Sequence, residues 1–243
     1  MHIILRLFAG LTLAMALHGC AFDASEARVT PEYAVTVSKV GVLSLVDAAP
    51  NLSFLRASAQ ESRFTRLALP GWQVDALVHE AVLPRLRRKG FEVSAIAPDD
   101  ALRIANGDDW GGPGNPALRE AAYALGAAHG LDTLVVIARD ISPDIVTGTN
   151  QNIRGYGLQR AFDDEAHAYA VVHTTVLDVA RRFVVGQARG VQQAPLPAGL
   201  WQAAFEDAGI APTLPPAMLA KVDAMLRQLL TAAIGVSVQE AGL

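Results

Sequence analysis

Cysteine is nearly absent: Cys20 is the single one in 243 residues. That excludes an internal disulfide, an all-cysteine zinc site and an iron–sulfur cluster held only by this chain's thiolates. Charge is sparse as well. Lys+Arg number 20 against 24 Asp+Glu, for a net charge of −4. Lysine occurs only at Lys39, Lys89 and Lys221. A weakly acidic chain has no electrostatic footprint for nucleic acid, so no nucleic-acid partner is expected. What is abundant is apolar: 51% hydrophobic against 18% charged residues excludes global disorder. The length fits one domain, or at most two, with a real core, and no interdomain linker or internal repeat interrupts it.

The N-terminus reads as an address. His2 and Arg6 form a short basic start, and Leu7 to Leu17 is an apolar run broken only by Gly10 and Thr12. The run is too short to span a bilayer comfortably, which takes about 20 apolar residues. It has the layout of a secretory signal peptide, expected over residues 1–19. Leu17-His18-Gly19-Cys20 resembles the lipobox of bacterial lipoproteins. Leu17 and Gly19 match the pattern, and His18 stands where a small residue is usual. The resemblance implies cleavage between Gly19 and Cys20 and a covalent diacylglycerol and N-acyl lipid on Cys20. It implies anchoring to the cell envelope, and Ala21 points to the periplasmic face of the outer membrane. Cleavage removes Arg6 and no acid, leaving 19 − 24 = −5. Residues 20–38 then read as a lipid-proximal tether, in part an edge strand by the alternation of Tyr33, Val35 and Val37.

The remainder, 39–243, reads as a single α/β (α+β) domain. Val40 to Val46 is a near-continuous apolar run, as in a strand covered on both faces. Asn51 to Leu69 is an irregular excursion or a strand pair. Val74, Leu77, Val78, Ala81, Val82 and Leu86 recur at helical spacing up to Gly90, with Pro84 predicting a kink or early end. Phe91 to Ile96 is a second strand. Asn115-Pro116 is an N-cap and first helical position for a helix ended by Gly130. Thr133 to Ala138 is another buried strand, and Asp140 to Asn150 an exposed loop. Three long strands, about 153–162, 166–179 and 183–192, form an antiparallel meander. A short helix at Trp201 and Phe205 and a final helix from Pro215-Pro216 follow. The expected sheet is mixed: a β-α-β-α-β start, the meander, then a C-terminal helix.

Catalytic constellations are hard to find. His79-Glu80 begins an H-E-x-x-H zinc motif, but Leu83 stands where the second histidine belongs, so His79 reads as an exposed helix residue. His167 and His173 share a strand face about 20 Å apart, too far for one metal, and read as surface residues. No G-x-S-x-G elbow occurs. Gly155-Tyr156-Gly157 lacks a third dinucleotide-type glycine and reads as a strand bulge, while Gly111 to Gly114 lacks the Lys-Ser/Thr of a phosphate loop. Asp163, Asp164 and Glu165 are loop acids. No catalytic residue, metal site or non-covalent cofactor is expected. Arg139-Asp140, ending a buried strand, is a candidate structural ion pair or partner contact. With Asp144, Asn150, Asn152 and Arg154 from the following polar loop, it forms the candidate partner-binding set.

The element order, VGVLSLV, LDTLVVIARD and the lipobox together resemble a group of periplasmic lipoproteins with small α/β domains. The group includes activators of penicillin-binding proteins, the curli-secretion lipoprotein and the N-terminal domain of the Tol-system propeller protein. The resemblance covers about Lys39 to Gln192. It implies a non-enzymatic protein that binds other envelope proteins or assembles with itself, held to the membrane by its lipid. The competing readings are a small-molecule or glycan-binding module and a hydrolase with an unrecognised site.

Overall fold

The structure is a computed structural model that describes residues 27–55, 62–100, 102, 115–143, 152–161, 165–197, 199–200 and 214–243. The signal peptide, Cys20, the glycine loop before Asn115, Asp144, Asn150, Asp163, Asp164 and the short helix expected at Trp201 lie outside the described residues. A helical turn, α1 (Pro31–Ala34), precedes β1 (Lys39–Leu45), β2 (Asn51–Leu55) and β3 (Arg63–Arg66). Then come α2 (Val74–Arg88), β4 (Glu92–Ile96), α3 (Pro116–Ala128) and β5 (Thr133–Arg139). The small pair β6 (Ile141–Pro143) and β7 (Asn152–Arg154) leads into β8 (Tyr156–Ala161), β9 (Glu165–Asp178) and β10 (Phe183–Pro195), and α4 (Pro216–Glu240) closes the chain.

The expected mixed α+β architecture is what forms. β1 pairs in parallel with both β4 and β5, and each crossover carries a helix. Period-two alternation explains why β1 and β5 read as unbroken apolar runs. Val40, Val42, Val135 and Ile137 face α2 and α4, while Leu43, Leu45, Leu134 and Val136 face α3. Among the described elements, α2 and α4 therefore cover one face of this branch and α3 covers the other. Asn115 caps α3, its side-chain oxygen accepting from Ala117 N at 2.9 Å, and Pro116 takes the position whose N–H has no helical partner. Val222, Leu226, Leu229 and Leu230 form the buried stripe of α4. Each fully buried leucine contributes about 1.5–3 kcal/mol of transfer free energy. α4 comes close to the sheet at Gly190, where an added Cβ would lie 1.9 Å from the Ala233 carbonyl oxygen.

The sheet forks at β9. Along one edge of this long strand, Glu165 to Ala170 pairs with β8 and Val172 to Asp178 with β5. The two branches thus run as β5-β1-β4 and β8-β2-β3, and β10 lies along the opposite edge of β9.

Seven expectations need correction. Residues 27–38 are not a free tether: Val29 is buried, its N–H bonds to the Ala241 carbonyl at 2.9 Å, and Ala27 bridges to Gln187 of β10. Tyr33 and Ala34 are helical rather than extended, and the Tyr33 hydroxyl lies 2.7 Å from the Thr133 hydroxyl. α2 runs through Pro84 to Arg88, because fully buried Leu86 and the Arg85 bond to the Gly235 carbonyl hold its last turn on the body. The first long strand is split at Gly155 into β7 and β8, and Asp140 to Pro143 is buried or paired rather than an exposed loop. His79 is half-buried with a ring nitrogen 3.2 Å from the Val42 carbonyl, and His173 is buried.

Candidate functional site

Where the sheet forks, polar groups replace apolar packing. Between its two partners β9 leaves one residue, Val171, whose N–H bonds to the Gly155 carbonyl at 2.7 Å and whose carbonyl accepts from Asp140 N at 3.2 Å. Gly155 N in turn bonds to the Asp140 carbonyl at 2.9 Å. Gly155 sits at φ +58, a left-handed conformation that glycine adopts at no steric cost, and an added Cβ would lie 3.3 Å from an Asp47 carboxylate oxygen. The turn at the fork is therefore built around the polar cluster beneath it.

Two carboxylates organise that cluster. Asp47, just past the end of β1, accepts from Arg139 Nη1 at 2.5 Å and from Arg66 Nη1 at 3.0 Å. In open α/β sheets, the crevice at the carboxyl ends of parallel strands with diverging crossovers is the usual ligand position. Here the chain's own Asp47–Arg139 pair, from the ends of β1 and β5, occupies it. Asp140 caps its neighbour by accepting from Ile141 N at 2.8 Å, and its other oxygen accepts from Arg189 Nε. His173 Nδ1 lies 3.9 Å from the same oxygen. Burial holds the His173 imidazole below the ordinary histidine range, with Asp140 pulling it up and Arg189 pushing it down. A third branch runs through aromatics: Trp72 Nε1 donates to the Tyr156 hydroxyl at 2.8 Å, which donates to the Asp47 carbonyl at 2.8 Å.

Arg139 and Asp140 are each 2% exposed and engaged inside the fold. Each is engaged with a different partner, Arg139 with Asp47 and Asp140 with Arg189. Asn152 and Arg154 lie apart, on β7, and line a cavity of about 430 Å³ beside the fork. Asn51 and Ser53 of β2, Gln159 of β8 and Tyr169 of β9 line it as well, with Phe64 and Arg66 of β3 at its outer side. Asn51 Nδ2 and the Tyr169 hydroxyl both donate to the Arg154 carbonyl, at 2.7 and 3.1 Å, and so hold β7 in place. Burial pushes the Tyr169 hydroxyl up to about 12, against hydrogen bonding from Ser53 and Asn51. A volume of this size falls in the range of small-molecule sites, about 300–1,000 Å³. The sequence reading missed Asn51, Ser53, Gln159 and Tyr169, because polar residues alternating in strands look like any solvated strand face.

Among the described residues no group of three or more His, Cys, Asp or Glu could hold a metal ion. The His173 Nε2 has no hydrogen-bond partner among the described residues. Among the same residues no helix is long and apolar enough to cross a membrane.

No family model matches the chain, and no curated protein matches it. Solved structures with similarity include protein XCC0632 from Xanthomonas campestris, at 11% identity over 84% of each chain and a TM-score of 0.39. A PelC variant dodecamer from Paraburkholderia phytofirmans shows 10% identity over 90% of this chain and 96% of that one, at a TM-score of 0.36. Lipoprotein GNA1162 from Neisseria meningitidis shows 12% identity over 78% of this chain and 96% of that one, at 0.31. At TM-scores below 0.4 these likenesses carry no argument about function, and they lend nothing to the finer resemblance to activators or curli-secretion proteins.

Proposed function

We propose that the chain is a bacterial envelope lipoprotein, held by lipid on Cys20 at the periplasmic face of the outer membrane. In this reading it works without catalysis, as an accessory or assembly factor acting through protein–protein contacts. The observation that carries the reading is the outer edge of β10. This strand runs from Phe183 to Pro195, and among the described residues its outer edge meets only the single bridge from Ala27. Gln187 N donates outward to the Ala27 carbonyl at 2.6 Å, so alternation turns the N–H groups of Arg189, Val191 and Gln193 outward as well. Proteins usually blunt such edges with charge, proline or bulges. Here Arg189 is the one charge, Pro195 comes at the end, and the irregularity at Val184/Gly186 lies at the start. An exposed edge of this length offers backbone hydrogen bonds to an added strand from a partner or a second copy.

The docked N-terminal segment supports a membrane-proximal partner. Seven chain steps separate Cys20 from Ala27, and at ~3.6 Å each they reach at most about 25 Å. Because Ala27 bridges to β10, the anchor keeps this edge near the bilayer. The test compares wild type with Cys20→Ala in cells by lipid labelling and membrane fractionation. Labelled, membrane-bound wild type and unlabelled, released variant are expected. Equal release of both would remove the anchor from the account.

A further inference from the structure

α4 flanks the outer edge of β10 with an apolar stripe. Gly186 comes against the Ala241 carbonyl and Gly190 against the Ala233 carbonyl, so the helix runs antiparallel to the strand. It packs about equally on β9 and β10. Asp223 and Arg227 mark its flank toward α2, where the Arg227 guanidinium lies 4.8 Å from the centre of the Trp72 ring. Half a turn round the helix from Arg227 lie Met225, Leu229, Ala232 and Val236, on the flank toward the β10 edge. Leu229 is buried and Met225 half-buried, but Ala232 is exposed and Val236 is 39% exposed. Among the described residues no strand lies beyond β10.

The strand edge and the helix stripe share a midpoint. The outward groups of Arg189, Val191 and Gln193 lie between the Ala27 bridge at Gln187 and Pro195, which has no N–H. Val191 is their centre. At ~3.3 Å per strand residue and ~1.5 Å per helix residue, the level of Val191 on α4 falls near Thr231. The four apolar residues of the stripe are centred on that same level. A two-fold axis through this point, normal to the sheet, would set Val191 against Val191 and Arg189 against Gln193 of a second copy. Two hydrogen bonds per facing pair give about six. Neighbouring strands lie about 4.8 Å apart, so the axis falls about 2.4 Å outside β10. α4, seated over β9 and β10, would then lie about 10 Å from its counterpart, at the normal helix packing distance.

Charge permits the self-contact. Between Lys221 and Glu240, α4 carries only Asp223 and Arg227, both on the flank toward α2. The outward groups of β10 include one charge, Arg189, engaged with Asp140. Across the axis the two Arg189 backbones stand about 13 Å apart. An unrelated strand would satisfy the edge and leave the α4 stripe uncovered. A second copy covers both.

We propose that the partner of the β10 edge is a second copy of this chain, joined by antiparallel β10–β10 pairing and α4–α4 packing about a two-fold axis through Val191. The inference rests on the strand-addition reading of that edge and names what fills it. The contact is isologous and closes at two chains.

The experiment uses the lipidated full chain in detergent, with micelles in excess. Sedimentation equilibrium is expected to give the mass of two chains. Val191→Cys, oxidised with copper phenanthroline, is expected to form a covalent dimer, because facing Cα atoms of such a pair lie about 5.5 Å apart, within disulfide reach. Arg181→Cys, on the distant β9–β10 turn, controls for collision and for Cys20, and should form none. Ala232→Glu changes an exposed helix position and sets like charges across the axis. It is expected to weaken self-association at least about tenfold with an unchanged circular dichroism spectrum. A single-chain mass for wild type would overturn the proposal. So would absence of the disulfide in folded Val191→Cys. If position 193 then still crosslinks to another envelope protein in cells, strand addition stands and only the second copy is wrong. If it crosslinks to nothing, the edge reading falls as well.

Discussion

Arg139 and Asp47 meet across the ends of two parallel strands, 92 positions apart in sequence, with side chains 3% and 8% exposed. The pair does for the fork what apolar side chains do elsewhere in the sheet. It joins β5 to the turn after β1, and Asp47 passes the connection on to Arg66 of β3. Both branches of the sheet are thus tied to one carboxylate.

Removing that carboxylate takes the Asp47 ion pair away from the buried Arg139 guanidinium. Asp47→Ala is expected to lower stability by about 3–5 kcal/mol, as for other broken buried pairs. Replacing both members, Asp47→Ala with Arg139→Met, should recover part of the loss because no charge is then stranded. Urea unfolding of the two variants beside wild type measures this, and a double variant no more stable than Asp47→Ala would contradict it.

Close approach of α4 to β10 depends on one missing methyl group. Gly190→Ala places a Cβ against the Ala233 carbonyl and the Ser237 backbone nitrogen. The neighbours are backbone, so a rotamer change cannot relieve the clash. A loss of at least about 1–3 kcal/mol is expected, the usual size of an overpacked core. Thermal unfolding reads it directly.

The Trp72–Tyr156–Asp47 relay gives a spectroscopic handle. Tyr156→Phe leaves the Trp72 Nε1–H and the Asp47 carbonyl without their shared hydroxyl, and each buried group left unmade costs about 1–3 kcal/mol. Stability should fall by at least about 1–3 kcal/mol and the Trp72 fluorescence should change. An unaltered spectrum would show that the indole is not held as described.

His173 sets an acid-side dependence. Its folded-state pKa is lowered, chiefly by burial, so the unfolded chain takes up the proton first as pH falls. The contribution is present above the unfolded value, about 6.5, and is lost as pH drops through the folded one. Urea midpoints of wild type should decline below about pH 6.5, and those of His173→Phe should decline less over the same window. Equal slopes would remove His173 from the explanation.

How much of this was legible depends on where the determining contacts sit. β1 and β5 could be read because burial on both faces makes a strand apolar at every position, a local property. The N-cap of α3 was legible for the same reason: Asn115 satisfies N–H groups two and three residues away. At Gly155 the sequence showed a strand bulge but not a full break, because Asp47 and Arg139 lie against that residue from distant parts of the chain. His173 looked like a surface residue because its strand alternates with alanines. Only the pairing of β10 on one side and β5 on the other buries it. The cavity is likewise assembled from β2, β3, β7, β8 and β9, and no spacing within one segment announces it.

The most direct test of the central claim places a photo-crosslinking amino acid at Gln193, an exposed position whose N–H faces outward from β10. It is expressed in the lipidated protein in cells, with and without Val191→Pro. Proline at 191 removes an outward N–H while sparing the hydrogen bonds to β9. The account predicts a discrete crosslink to one envelope protein or to a second copy of this chain, lost on Val191→Pro in protein that remains folded. Absence of any discrete crosslink from position 193, in membrane fractions that contain the protein, would contradict it.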